Sequence, residues 1–318
     1  MEPKAMRKRV GSTGWMTLIY VGVLNVCILL FMIGAALFTG MEAMIRGDRD
    51  ALMEAMMEAA YSGWGYLAAL VIVVGIFLLW KKPKFWREQI WKHGKPMKFG
   101  DFCAILAVFF CGQMVSQIYN IILETGLNIF GFSMLEGLQS MTGDGDSFSF
   151  FLYMAIIGPV AEELAFRGMV LKTLMPFGKR FAIVCSAFLF GIFHCNIIQA
   201  PMAFLVGLVL GYVAAEYSIA WAMVLHMINN MFLGDILTRL IPNETAASIV
   251  LWLFLVASAI TAVIVLIRKG SAVTAWHRSA VSVPGIYKRF FLSFGVISCI
   301  IVTAIFMVIS FVNMIAPI

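Results

Sequence analysis

Two adjacent glutamates and an arginine stand inside a stretch of the chain that is otherwise apolar. Glu162, Glu163 and Arg167 fall within residues 148–174, a run long enough to cross a lipid bilayer as a helix. Each ionised side chain near the bilayer centre costs at least roughly 2.5 to 3.5 kcal/mol, and such residues usually face a protein interior and mark a functional site. We therefore expect these three residues to carry out chemistry.

Their spacing separates the two glutamates by role. Glu163 precedes Arg167 by four residues, which is the favoured order for an ion pair on one helical face. Glu162 points roughly 100 to 140° away from that pair, because successive helical residues rotate by roughly 100°. One glutamate can neutralise the arginine, and the other is left available.

Two histidines and an asparagine in other apolar runs are the groups that Glu162 could meet. The segment FLFGIFHCN places Phe190 and His194 four residues apart, and VLHMINN does the same for His226 and Asn230. Counted at about 1.5 Å per residue, these side chains reach similar depths in the membrane. A lone intramembrane histidine can also simply hydrogen-bond a neighbouring helix, so each spacing taken singly leaves that reading open.

A cluster of one carboxylate and two imidazoles supports two routes to peptide-bond hydrolysis. Glu162, His194 and His226 can hold a zinc ion with an open position for water, whose pKa the metal would lower. Alternatively, Glu162 can act without metal as a general base on a water held by His194. His226 and Asn230 would then donate hydrogen bonds to the oxyanion of the tetrahedral intermediate.

Three ordered motifs give the chain a family resemblance. EExxxR at 162–167, FxxxH at 190–194 and HxxxN at 226–230 each lie on their own apolar run. In this order they resemble the CPBP family of intramembrane proteases (Abi-like), which includes the CAAX prenyl endopeptidases and bacterial relatives linked to bacteriocin processing or self-immunity. The resemblance covers about residues 148–237.

The resemblance implies a role for each motif residue. It makes Glu162 the catalytic base or metal-linked glutamate, with Glu163 and Arg167 as its supporting pair. It makes His194 the partner of the water or metal, and His226 with Asn230 completes the site. It also implies an intramembrane endopeptidase, commonly classed as a metalloprotease, that acts on a membrane-associated, prenylated or otherwise lipidated polypeptide.

The composition indicates the elements that must position these residues. The 318 residues are 62% hydrophobic and 13% charged, whereas soluble globular proteins are about 45 to 50% apolar. We predict an all-α, polytopic transmembrane bundle of about eight or nine helices, forming one domain over 1–318 with its catalytic core at about 148–237. The predicted spans are 15–38, 62–80, 99–122, 148–174, 181–198, 201–215, 219–237, 248–267 and 290–315.

The basic residues predict the orientation of the bundle. With a cytoplasmic N-terminus, 19 of the 23 basic residues fall in inner segments and three fall outside. This asymmetry follows the positive-inside rule. We therefore predict a multi-pass membrane protein with a cytoplasmic N-terminus, and we expect it in the plasma membrane. The net charge of +6 is therefore a topology signal, and nucleic-acid binding is not expected.

Two short segments and the cysteines are predicted to have structural roles. The segment 81–98 interleaves basic residues with Trp86, Ile90 and Trp91, which favours an interfacial amphipathic helix. Residues 50–61 favour a short surface helix. The six cysteines show no CxxC spacing and are predicted to be unpaired.

Other functions fit the sequence less well. The chain has neither an HExxH motif nor a GxSxG motif, and the GxGD at 143–146 is interpreted as a turn. A cysteine–histidine hydrolase that uses Cys195 is disfavoured, because adjacent helical residues point in different directions and Cys195 should not share a face with His194. A proton-coupled transporter stays open, since Gln113 and its neighbours could line a hydrated path or simply bond between helices. A noncatalytic scaffold or immunity protein that binds a peptide is the third alternative.

Overall fold

The protein is almost wholly helical in the computed structural model, which describes residues 3–318 apart from 39, 91–93, 136, 138–146 and 233–239. Two short strands, β1 (Phe132–Ser133) and β2 (Ala316–Pro317), pair in antiparallel fashion. In chain order the helices are α1 (Pro3–Phe38), α2 (Met41–Arg46), α3 (Arg49–Tyr61), α4 (Trp64–Trp80), α5 (Pro83–Phe85, prolonged by a π-helical turn over Trp86–Ile90), α6 (Phe99–Ile129), α7 (Phe148–Phe177), α8 (Lys179–Phe193), α9 (Gln199–Glu216), α10 (Ile219–Met231), α11 (Glu244–Arg268), α12 (Gly270–Ser279), α13 (Ile286–Phe291) and α14 (Phe294–Met314).

Each of the nine predicted apolar runs corresponds to a helix, which confirms an all-α, multi-pass membrane bundle. Within the described residues, α1, α6, α7, α9, α11 and α14 are long and apolar enough to cross a membrane. The bent pair α3 and α4 would make a seventh span. Helix α8, at 15 residues, is shorter than the roughly 20 residues of a full span, and α10 comprises 13 residues within the described part of the chain.

The fifth apolar run ends earlier than predicted. We expected a helix to residue 198, but α8 stops at Phe193 and His194 is its C-terminal cap. Cys195 has a φ of 50°, a left-handed conformation through which a right-handed helix cannot continue. Asn196 Oδ1 then accepts hydrogen bonds from the amides of Ile198 and Gln199 at 2.8 and 3.3 Å, and α9 begins there.

Helix α7 runs through the middle of the core and is irregular. Two π-helical segments, Tyr153–Ile157 and Leu164–Leu171, flank the short α-helical piece Gly158–Glu163. The second π segment is buried along its length after Leu164. Because π segments occur frequently at functional sites, this irregularity singles out the piece that carries both glutamates.

Helices α8 and α9 approach each other closely through glycines. A Cβ added to Gly191 would lie 2.9 Å from the carbonyl oxygen of Ala200, and one added to Gly207 would lie 3.2 Å from Cα of Ala187. Small residues permit such backbone contact between membrane helices. The close packing sets the end of α8 and the middle of α9 beside α7.

The structure describes three further features that the sequence predicts. The surface helix predicted over 50–61 is present as α3, and all six cysteines are free thiols. The amphipathic segment is helical over Pro83–Ile90, where Trp86 packs on the core. Trp91, the GxGD at 143–146 and the end of the seventh predicted span at 233–237 lie outside the described residues.

Candidate active site

A buried ion pair forms the base of the site. Arg167 Nη1 donates to Glu163 Oε1 at 2.8 Å, and both side chains are 0% exposed, so the predicted pair is present. The Arg167 guanidinium also lies 4.2 Å from the centroid of the Phe190 ring, and its Nη2 donates to the carbonyl oxygen of Gly207 at 3.4 Å. Three helices, α7, α8 and α9, therefore hold one guanidinium.

His226 lies between the two glutamates. Its Nδ1 is 2.9 Å from Glu163 Oε1, and its Nε2 is 3.8 Å from Glu162 Oε2. An ionised Glu163 accepts the Nδ1 proton, and this hydrogen bond fixes the ring so that Nε2 faces Glu162. The 3.8 Å separation is too long for a direct hydrogen bond, so Glu162 and His226 face each other without bonding.

His194 is oriented by the residue one turn before it. The carbonyl oxygen of Phe190 can only accept, so His194 Nδ1 donates to it at 2.8 Å and leaves Nε2 available. The Phe190 ring stands edge-on to both imidazoles, with centroid distances of 4.9 Å to His194 and 5.7 Å to His226. One aromatic ring therefore contacts both histidines and the arginine.

Asn230 ends a chain of amide hydrogen bonds that sequence reasoning did not assemble. Its Nδ2 donates to the carbonyl oxygen of Met154 at 2.8 Å, and its Oδ1 accepts from Asn229 Nδ2 at 3.0 Å. Asn229 Oδ1 accepts in turn from Gln113 Nε2 of α6 at 2.6 Å. The signal for this network was the pair of asparagines in one apolar run together with a glutamine in another.

Two tyrosines complete the surroundings of Glu162. Tyr20 of α1 and Tyr153 of α7 lie near enough to interact with the charge of Glu162. The Tyr20 ring is 4.6 Å from the ring of Phe193, and the Tyr153 ring is 4.5 Å from that of Tyr66. Sequence reasoning missed both tyrosines, because aromatic residues in apolar helices carry no distinguishing signal.

The three predicted zinc ligands come from three different helices, His194 as the C-terminal cap of α8. Glu162, His194 and His226 are suitable donors by type, and both imidazoles have Nδ1 engaged and Nε2 available. Over the described part of the chain, however, no three His, Cys, Asp or Glu side chains form a group that could hold a metal ion. The three residues thus do not fit a preformed metal centre in this arrangement, and we derive no step through a metal.

A family comparison covers this region. Residues 144–232 match the family model described as type II CAAX prenyl endopeptidase Rce1-like, and this segment contains all six predicted site residues. Neither the comparison with curated proteins nor that with solved structures gave a match. The family match confirms the resemblance to CPBP intramembrane proteases that the three motifs indicated. Over residues 144–232 the chain is therefore similar to the Rce1-like type II CAAX prenyl endopeptidases.

Proposed function

We propose that the protein hydrolyses a peptide bond of a lipid-anchored polypeptide inside the membrane, with Glu162 activating the attacking water. The observation that carries this proposal is the position of Glu162 Oε2, 3.8 Å from His226 Nε2. Arg167 is already neutralised by Glu163, so Glu162 is not needed as its counter-ion. The Rce1-like family match supports the same reaction class.

Glu162 is the general base in this proposal. A single water molecule can contact both its carboxylate and the facing Nε2 of His226, and His194 Nε2 is a further hydrogen-bond partner for that water. Glu162 takes a proton from the water as the water oxygen attacks the peptide carbonyl carbon. The same proton passes to the leaving amine as the C–N bond breaks, giving a carboxylic acid and an amine.

Asn230 and His226 stabilise the oxyanion. Asn230 uses one N–H on the carbonyl oxygen of Met154, so its second N–H remains for the intermediate. Its amide oxygen is held by Asn229, which prevents the amide from reversing its orientation. His226 can donate through Nε2 when both of its ring nitrogens carry protons. Removing one oxyanion donor typically costs about a hundred- to thousandfold in rate.

The substrate class follows from the family description and the membrane setting. A CAAX prenyl endopeptidase acts on a polypeptide that carries a prenyl group near its C-terminus, and a membrane bundle can receive such a lipid from the bilayer. We therefore propose a prenylated or otherwise lipidated polypeptide as substrate. We also propose a plasma-membrane location with a cytoplasmic N-terminus, which protease protection of an N-terminal tag in intact cells would test.

The central experiment uses the full chain in liposomes with a fluorogenic peptide, presented with and without a prenyl group. Glu162→Gln is expected to lower the cleavage rate by at least about a hundredfold, because general-base catalysis contributes about 10² to 10⁴. The matched control is Glu58→Gln, which removes an exposed carboxylate of α3 and should cleave like the parent.

Three outcomes would contradict the proposal. Normal cleavage by Glu162→Gln would show that another group activates the water. Proton flux across the liposomes that depends on Glu162, without any cleavage, would favour the transporter alternative instead. Equal cleavage of the prenylated and unprenylated peptides would reject the proposed lipidated substrate.

A further inference from the structure

A cavity of about 550 Å³ lies at the end of the bundle where α1 begins, α7 and α9 end and α8 begins. Lys172, one of its lining residues, comes ten positions after Glu162 on α7, or roughly 15 Å along the helix axis. By the predicted topology this end faces the cytoplasm. The cavity is therefore separate from the candidate active site and lies near the level of the lipid head groups.

Three basic side chains line this cavity, namely Arg9, Lys172 and Lys179. The Arg9 guanidinium lies 5.7 Å from the centroid of the Phe177 ring, which helps to orient it. At the rim, Lys95 Nζ lies 4.6 Å from the centroid of the Tyr217 ring. The charged groups thus come from separate elements that the fold brings together.

None of the described residues that line the cavity is acidic. Glu216, at the end of α9, accepts from Lys179 Nζ at 2.5 Å and from Trp276 Nε1 at 2.9 Å, so Lys179 and Glu216 compensate each other's charge. Nearby, the pKa of Lys81 lies below its ordinary value, because of its burial first and the positive charge of Arg9 second. The positive charges of Arg9 and Lys81 would both attract an anion bound in this cavity.

We propose that this cavity binds the phosphate group of an anionic phospholipid. Basic pockets between membrane helices on the cytoplasmic side are typical sites for such head groups. The planar guanidinium of Arg9 can contact two phosphate oxygens at once, and the lysines add point charges. The volume falls within the roughly 300 to 1,000 Å³ of ordinary ligand pockets.

The experiment uses the full chain in nanodiscs of phosphatidylcholine with increasing phosphatidylglycerol, and native mass spectrometry counts the phosphatidylglycerol that stays bound. Arg9→Gln with Lys172→Gln is expected to weaken this binding about thirtyfold, at roughly fivefold per basic residue near an anionic surface. Arg9→Lys with Lys172→Arg keeps both charges and should bind like the parent. This second variant separates loss of charge from loss of fold.

A matched control removes the same charge outside the cavity. Lys4→Gln with Lys8→Gln alters two exposed residues at the same end of α1 and should leave the specific binding unchanged. Equal losses in the two glutamine doubles would overturn the proposal in favour of general surface attraction. Tighter binding of inorganic phosphate than of phosphatidylglycerol would reject the lipid as the ligand. Glu162→Gln should bind the lipid normally, so a failure of the proposed catalysis would leave this result intact.

Discussion

The buried pair of Glu163 and Arg167 makes the most direct test of how the site is built. Arg167→Met removes the 2.8 Å bond to Glu163, the contact with Gly207 and the cation–π contact with Phe190. Glu163 Oε1 would keep only His226, and Glu163 Oε2 has no hydrogen-bond partner in the described structure. Removing one partner of a buried pair typically costs about 3 to 5 kcal/mol, and we expect that loss in the free energy of unfolding.

The chain supplies a matched control in α2. Glu42 and Arg46 form an ion pair with the same four-residue spacing, but their side chains are 74% and 70% exposed. Exposed helical pairs contribute only about 0.3 to 0.5 kcal/mol. Arg46→Met should therefore change the free energy of unfolding by less than about 1 kcal/mol. The comparison isolates burial, because the charges and the spacing are the same.

The assay is reversible unfolding in mixed detergent micelles, followed by circular dichroism. Replacing both members of the buried pair, with Glu163→Leu and Arg167→Met, should recover most of the loss, because no unpaired charge is then left in the interior. Destabilisation of Arg167→Met by less than about 1 kcal/mol would refute the reasoning, and so would a double variant as unstable as the single one.

Three further predictions concern other parts of the site. Gly191→Ala should lower the free energy of unfolding by about 1 to 3 kcal/mol, because the new Cβ meets the backbone of α9. Gly75→Ala is the control and should leave the free energy of unfolding unchanged, because the space around Gly75 is open. Equal effects of the two substitutions would contradict the close packing of α8 on α9. Gln113→Leu should lower kcat about ten- to hundredfold with little change in KM, because Asn229 loses the hydrogen bond through which Gln113 helps to position Asn230. An unchanged kcat in a folded variant would show that this hydrogen-bond network has only a structural role. If zinc is bound as the sequence predicts, metal analysis of the active protein should find it and His226→Ala should lose it, whereas a fully active parent without metal would reject zinc.

Much of the architecture could be predicted from residue types alone. Long apolar runs are expected to be helical inside a membrane, because intrahelical hydrogen bonds satisfy the backbone there, and each predicted run contains a helix. The four-residue spacing of Glu163 and Arg167 determined their pairing, since it depends only on the geometry of one helix. The three ordered motifs also indicated the family that residues 144–232 match.

What the sequence could not decide depends on contacts between helices. The end of α8 at Phe193 follows from the left-handed Cys195 and the turn made by Asn196, and an apolar pattern does not record either feature. The contact of His226 with Glu163, besides its approach to Glu162, likewise requires the relative placement of α7 and α10. Local spacing fixes which side chains share a helical face, but only the packing of separate helices determines which faces meet.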